Sequence, residues 1–259
     1  GSTYEESPVK SMNARELINM VSAMINGRGS IYPEIRMLGH QIKEQFDELY
    51  PGVMDAEMQR GRMELLEGGE GPVLAGSAKE PEIRIVTATT NPVAVLDTAM
   101  RFGRRFSGFD EANMKQLLTD ARPRELEILN YSFRIDNVSL ACVTHFTRHR
   151  MLSLQLRHEL SALAGGNYVL PESIAQNPAA LRLYSEAFEK QAVAAESARQ
   201  LGAENNQLAY FAMAGHTTSI LISMNARELL LFAKLRSCSR AQWEILGIAR
   251  AMIELLNET

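Results

Sequence analysis

At 259 residues the chain is long enough for one large domain, or one domain with an appendage, and for a core that folds without covalent staples. Hydrophobic residues make up 46% and charged residues 22%, the balance of an ordinary globular chain, and no apolar run reaches the length of a membrane-spanning helix. The formal charge of -4 offers no global attraction to nucleic acid or anionic lipid, so phosphate recognition has to come from a local arginine cluster.

Residues 11–50 read as a helix, a break and a second amphipathic helix whose first position suits Pro33. Residues 55–81 carry Gly61, Gly68, Gly69, Gly71 and Gly76 with few large apolar residues, which predicts a linker with a short helix near Met63. A domain boundary is expected near Pro81. Residues 83–88 then alternate as a strand, and Asn91-Pro92 caps a helix that runs to Phe102 and stops at Gly103. A helix over 110–119, a strand over 128–135, a helix over 138–148 and an extended piece over 152–156 follow. Beyond Pro171 the chain reads as mostly helical. An alanine-rich helix occupies 179–201, and the last of two closing helices opens on the capping box Ser239-Arg240-Ala241-Gln242. Helices outnumber strands, and the strands are too few for a doubly wound sheet. The pattern therefore predicts an α+β fold, a small and mostly antiparallel sheet packed with many helices.

One internal repeat stands out: Ser11-Met12-Asn13-Ala14-Arg15-Glu16-Leu17 recurs as Ser223-Met224-Asn225-Ala226-Arg227-Glu228-Leu229. Both copies continue as an apolar helix, a break and Glu-Ile (Glu34-Ile35 and Glu244-Ile245) opening a second helix. Helix capping accounts for the Asn13/Glu16 and Asn225/Glu228 pairs, the asparagine accepting from amides of the first turn. It does not account for the shared Ser-Met, Ala-Arg and Leu, which favours duplication over 11–50 and 223–259.

The two cysteines, Cys142 and Cys238, stand in no CxxC or Cys/His spacing, so neither a disulfide framework nor a metal site is expected. The chain start shows no signal-peptide pattern, and a reducing, cytoplasmic setting follows. The sharpest chemical cluster is Arg148-His149-Arg150, with Ser153 following after two intervening residues. Planar guanidinium forks suit phosphate oxygens and electron-rich cofactors, although a basic helix end that complements the macrodipole is the competing account. His145 and His216 read as packed structural histidines.

Taken in order, these motifs resemble the flavin-dependent thymidylate synthase family (ThyX). Arg148-His149-Arg150-Met151-Leu152-Ser153 matches the opening of its Arg-His-Arg-x-x-Ser-x-Asn-Glu-x-Ser-x-Arg-Tyr signature. Asn225-Ala226-Arg227-Glu228-Leu229, Arg236 and Ala241-Gln242-Trp243-Glu244-Ile245 match its C-terminal pattern. Residues 83–102 resemble its first strand and helix, and Tyr131-Ser132-Phe133-Arg134-Ile135 its aromatic strand. The resemblance covers 82–259. It implies a homotetrameric flavoprotein that methylates C5 of deoxyuridylate, with methylenetetrahydrofolate as carbon donor and NADPH as reductant through FAD. Residue by residue it implies flavin contacts for Arg148, His149, Arg150, Asn225 and Arg227, and through the repeat for Asn13, Arg15 and Asn19. Arg236 falls on a nucleotide-phosphate arginine with a catalytic role, and Arg240 on the substrate side. The chemistry needs no cysteine nucleophile, so Cys142 reads as core.

Departures fall on the nucleotide side. Without a gap, the rest of the signature lies on residues 155–161 and puts Leu156 and Leu160 where the family has a carboxylate and an arginine. With a three-residue insertion it lies on 158–164, which keeps Glu159 as a substrate carboxylate and Ser161 as the catalytic serine but loses the arginine and tyrosine. Residues 207–211 lack another phosphate arginine, and His145 replaces a glutamine. Asn19 keeps a flavin asparagine that is Leu231 in the second copy, whereas Arg236 corresponds to Met24 in the first. These exchanges suggest the trailing part of a tandem protein, with 1–54 resembling the closing helices of a preceding copy, 55–81 a linker and 82–259 the ThyX-like domain. The resulting expectation is a ThyX-like enzyme with a weakened nucleotide site, acting on nucleotide and folate as a tetramer or a dimer of tandem chains, without nucleic-acid or membrane partners. The alternative is a degenerate half that scaffolds a partner or only binds flavin or nucleotide.

Overall fold

A computed structural model describes residues 14–58, 73, 75–157 and 159–257. Asn13 and the helix expected near Met63 lie outside the described residues. The chain divides into two compact units, one containing positions up to Glu70 together with Ala198–Tyr210, the other Gly71–Ser197 and Phe211–Thr259.

In the first unit α1 (Ala14–Ile25) and α2 (Pro33–Leu49) are joined by a 3-10 turn and followed by α3 (Val53–Met58). Apolar residues at helical spacing in α1, Ile18 and Val21, meet Phe46 of α2 and Met54 of α3 in a small core of their own. Pro33 takes the first position of α2, where its missing amide costs nothing.

The second unit holds β1 (Glu82–Ala88), α4 (Pro92–Phe102), α5 (Glu111–Thr119), β2 (Asn130–Ser139), α6 (Leu140–Phe146), β3 (Ser153–Leu156), α7 (Glu159–Gly165), α8 (Glu172–Ala175) and most of α9 (Pro178–Gln200). The short α10 (Asn205–Leu208) belongs to the first unit, and β4 (Thr217–Asn225), α11 (Ala226–Arg236) and α12 (Trp243–Asn257) complete the second. The four strands form one antiparallel sheet in the order β1-β2-β4-β3. The fold is α+β. Phe133 and Ile135 of β2 and Ile220 and Ile222 of β4 share a face with Phe146, Phe232, Ile245 and Met252 of the covering helices, and this is the main core. In both copies of the repeat the chain is helical from the alanine onward, Ala14 and Ala226, and Glu-Ile fills the second and third positions of the next helix.

Four local expectations change. Residues 217–225, read as part of a helical stretch, form a strand that pairs with β2 on one side and β3 on the other. Ile220, Ile222 and Met224 point into the core, but Leu221 on the opposite face hides the two-residue period. β2 runs to Ser139 rather than Ile135, because a bulge between Ile135 and Val138 lets Val138 rejoin the core face, with Asn137 in the left-handed region at φ 58°. The helix expected over 138–148 is consequently only 140–146, capped by Ser139 Oγ, which accepts from Cys142 N at 3.0 Å. The capping box expected from Ser239 gives way to Gln242, whose Oε1 accepts from the amides of Glu244 and Ile245 at 3.0 Å each.

Glu244, at the start of α12, is 3% exposed and accepts from Ser139 N at 2.7 Å and Ser139 Oγ at 2.5 Å. Burial outweighs both donations and raises its pKa above the ordinary 4.5. The folded state thus holds this proton more tightly than the unfolded chain, and stability falls as pH rises from 4.5 through the folded value. Glu244→Gln, which cannot ionise, should gain stability relative to the parent as urea denaturation is repeated from about pH 4 to about pH 7. Ile222→Ala, at a fully buried site in the central strand, should cost about 2–5 kcal/mol in the same assay.

Candidate functional site

The Arg148-His149-Arg150 triplet leaves α6 as a turn rather than prolonging it. His149 N donates to Phe146 O at 3.0 Å and Leu152 N to His149 O at 3.2 Å, after which β3 begins. The turn buries the central histidine and exposes its two neighbours. No carboxylate pairs with Arg148 or Arg150 among the described residues, so both guanidinium groups are open to an anionic ligand.

His149 is held from both sides. Its Nδ1 lies 2.8 Å from Glu228 Oε1, and its Nε2 accepts from Arg236 Nε at 3.1 Å. Because Nε2 has to be the acceptor, the ring proton sits on Nδ1 and is donated to the Glu228 carboxylate. The arrangement is a neutral imidazole between an acid and a guanidinium, packed against Phe232 with ring centroids 5.1 Å apart. Arg236 also donates to His145 O at 3.2 Å. That leaves Nη1 without a partner among the described residues. His145 is half-buried, its Nδ1 is enclosed without a partner, and its pKa is lowered by burial first and by Arg236 and Arg148 next. Arg148 and Arg236 thus place their positive charge beside His145 and favour its uncharged form.

Asn225 and Arg227 connect with this corner only through Glu228, because the cavity they line includes none of Arg148, His149, Arg150 or Arg236. A cavity of about 610 Å³ is lined by Asn225, Arg227, Glu228, Leu231, Lys234 and Met151 among others, a size suited to a cofactor fragment. Asn225 caps α11 by accepting from Glu228 N at 2.9 Å. Arg227 is engaged with Glu127 on the cavity wall. Leu231 supplies an apolar surface there.

The other expected residues are not gathered at this corner. Arg240 is exposed with no partner among the described residues. Arg15 and Asn19 lie in the first unit, both exposed and four residues apart on one face of α1. Glu159 and Ser161 fall in α7, with side chains outside the described residues, as is His158. Leu156 is half-buried against the main core. His216 is a satisfied core histidine that accepts from Met213 N at 2.8 Å, and burial lowers its pKa. Cys142 is fully buried, and burial above all pushes its thiol far up, whereas Cys238 is exposed. Among the described residues no group of His, Cys, Asp or Glu could hold a metal ion, and no helix is long and apolar enough to cross a membrane.

Residues 81–259 match the family model described as thymidylate synthase complementing protein. The chain belongs to this family. Flavin-dependent thymidylate synthase from Nitratidesulfovibrio vulgaris is 28% identical over 204 residues, covering 69% of this chain and 83% of the relative. The enzyme of the same name from Saccharolobus solfataricus is 29% identical over 188 residues, covering 66% and 71%. Among solved structures, the UMP/dUMP methylase PolB from Streptomyces cacaoi superposes with a TM-score of 0.64 at 16% identity over 71% of this chain and 92% of that one. ThyX from Helicobacter pylori with FAD and dUMP superposes with a TM-score of 0.50 at 20% identity over 68% and 92%.

Within this ThyX-like chain the residue that sequence reasoning missed is Glu228. It reads as the glutamate of a capping box, and half of that box is present. Its carboxylate, however, turns away from Asn225 to His149. Only the buried partner 79 positions away reveals the second role. Glu228→Ala leaves the His149 Nδ1–H buried and unpaired and should cost about 1.5–3 kcal/mol in urea denaturation. Glu228→Gln keeps an acceptor oxygen and should retain most of that stability.

Proposed function

We propose that the chain is a flavin-dependent enzyme of the thymidylate synthase type. It methylates C5 of deoxyuridylate with carbon from methylenetetrahydrofolate and reducing equivalents from NADPH through FAD, as a homo-oligomer. The observation that carries this reading is the Arg148-His149-Arg150 turn, its histidine fixed by Glu228 and Arg236 and its arginines unpaired among the described residues. The fit to a flavin rests on the free guanidinium groups, the unpartnered Nδ1 of His145 and the 610 Å³ cavity bordered by Asn225 and Arg227.

When bound, the flavin supplies the reducing equivalents. The chain's own part is binding and electrostatics. Arg148 and Arg150 offer donors to the cofactor, and His149 holds them in place by anchoring the turn. Arg236, with Nη1 free, presents positive charge to the anionic nucleotide. Glu159, Ser161 and Arg240 are assigned to the substrate side, with Ser161 and Arg236 in the catalytic role. Asn13, Arg15 and Asn19 on the first copy of the repeat are assigned to a flavin site completed in a tandem or oligomeric assembly. Native mass spectrometry of the full-length protein tests that assembly, and a monomer whose chain carries no further ThyX-like domain overturns it.

The purified protein should show flavin absorption and should oxidise NADPH faster with deoxyuridylate than without. A colourless protein that cannot be loaded with FAD would instead support the reading of a degenerate scaffold, which the absence of arginine from 207–211 favours. Arg148→Ala should weaken FAD retention about ten- to hundred-fold, the loss of one or more charge-assisted bonds, as measured by flavin fluorescence on dilution. A merely helix-capping arginine would leave retention unchanged.

A further inference from the structure

The two copies of the repeat stand in different surroundings. In the second copy α11 and α12 cover the sheet, and Phe232, Ile245 and Ile248 are each no more than 1% exposed in the main core. Their counterparts in the first copy are Met20, Ile35 and Leu38. Met20 is half-buried, Ile35 is 38% exposed and Leu38 is 46% exposed. Glu16, the counterpart of Glu228, is exposed, whereas Glu228 is buried against His149.

The exposure belongs to one side of a tightly packed pair. Ile18 and Val21 of α1 and Phe46 of α2 are buried with Met54 of α3, and a Cβ added at Gly39 would lie 2.8 Å from Met24 Cβ, so α1 and α2 form a closed unit on that side. Tyr210 donates to Glu34 at the rim of the other side and leaves Ile35 and Leu38 open. Apolar side chains that are exposed where a homologous helix pair buries them mark a surface built for a partner. The homologous pair shows which partner fits: the apolar face of a sheet like that of β2 and β4. The sheet of this chain is already filled by α11 and α12, and a second copy of the chain brings a sheet filled in the same way. The sheet that fits is one without closing helices of its own. In the second copy the heptapeptide starts inside β4, whose last residues are Ser223-Met224-Asn225. The same three residues, Ser11-Met12-Asn13, stand directly before α1, which puts the missing sheet upstream in the same chain.

We infer that α1 and α2 close the sheet of a second ThyX-like domain that precedes Ser11 in the full-length polypeptide. Met20, Ile35 and Leu38 lie on its apolar face, and Glu16 faces the histidine of its basic turn as Glu228 faces His149. The inference rests on the repeat and on the exposed face, and not on the flavin chemistry proposed above. It gives the tandem arrangement named there a specific contact surface.

Amide hydrogen exchange over 35–42, compared between the 259-residue chain and the full-length protein, tests the contact. Exchange should be about ten-fold or more slower in the full-length protein. Leu38→Asp in the full-length protein should abolish that protection, and Leu183→Asp, at an exposed leucine of α9, should retain it. In the 259-residue chain Leu38→Asp should melt as the parent does, because the side chain already meets solvent. If it melts lower, Leu38→Gln takes its place in the exchange comparison. A full-length protein with no ThyX-like domain ahead of Ser11 overturns the inference, as does protection that is absent, that survives the Leu38 substitution or that is lost equally in Leu183→Asp. A 259-residue chain that dimerises in analytical ultracentrifugation and becomes monomeric in Leu38→Asp also overturns it, because the occupant is then a second copy. A colourless full-length protein that still protects 35–42 overturns the flavin function and leaves the contact standing.

Discussion

The pairing of β2 with β4 is the constraint on which the second unit depends. Phe133 and Ile135 meet Ile222 and Ile220 across it, and every covering helix of the main core packs on the face they form. The far end of β4 then acquires chemistry from its position. It runs through Asn225 into α11 and carries Arg227, Glu228 and Arg236 towards the triplet that precedes β3.

A buried histidine between a carboxylate and a guanidinium explains how a short exposed turn can be held in a fixed shape. Arg148 and Arg150 are long side chains whose freedom would oppose binding, and the anchor beneath them limits how far the backbone can move. The same network divides the labour of the basic residues. Arg236 spends donors on His149 and His145, Arg227 is taken by Glu127, and the triplet's outer arginines have no partner among the described residues. Counting arginines would have overstated the positive charge available to a ligand.

Much of the architecture was legible because its signals are local. Asn91-Pro92 announces α4, and Asn91 does accept from Ala94 N at 3.3 Å. The alternation over 83–88 is β1, and the heptapeptide repeat opens a helix in each unit. The α+β class followed from the balance of such elements. β4 was hidden by an outward leucine, and the end of β2 by a bulge whose left-handed asparagine resembles a turn or helix entry in sequence. At the site, the triplet and Arg236 could be read because they lie in ordered motifs. Glu228 and Glu127 could not, because their roles are created by partners distant along the chain.

The two cysteines differ in a way that outlasts the question of catalysis. Cys142 is sealed in the core with its thiol protonated, and Cys238 stands exposed just after Arg236. A maleimide fluorophore or nitroxide would therefore attach at a single defined position in the unaltered chain. It would sit two residues from the guanidinium that grips His149, giving an optical or magnetic reporter of events at that corner without mutagenesis.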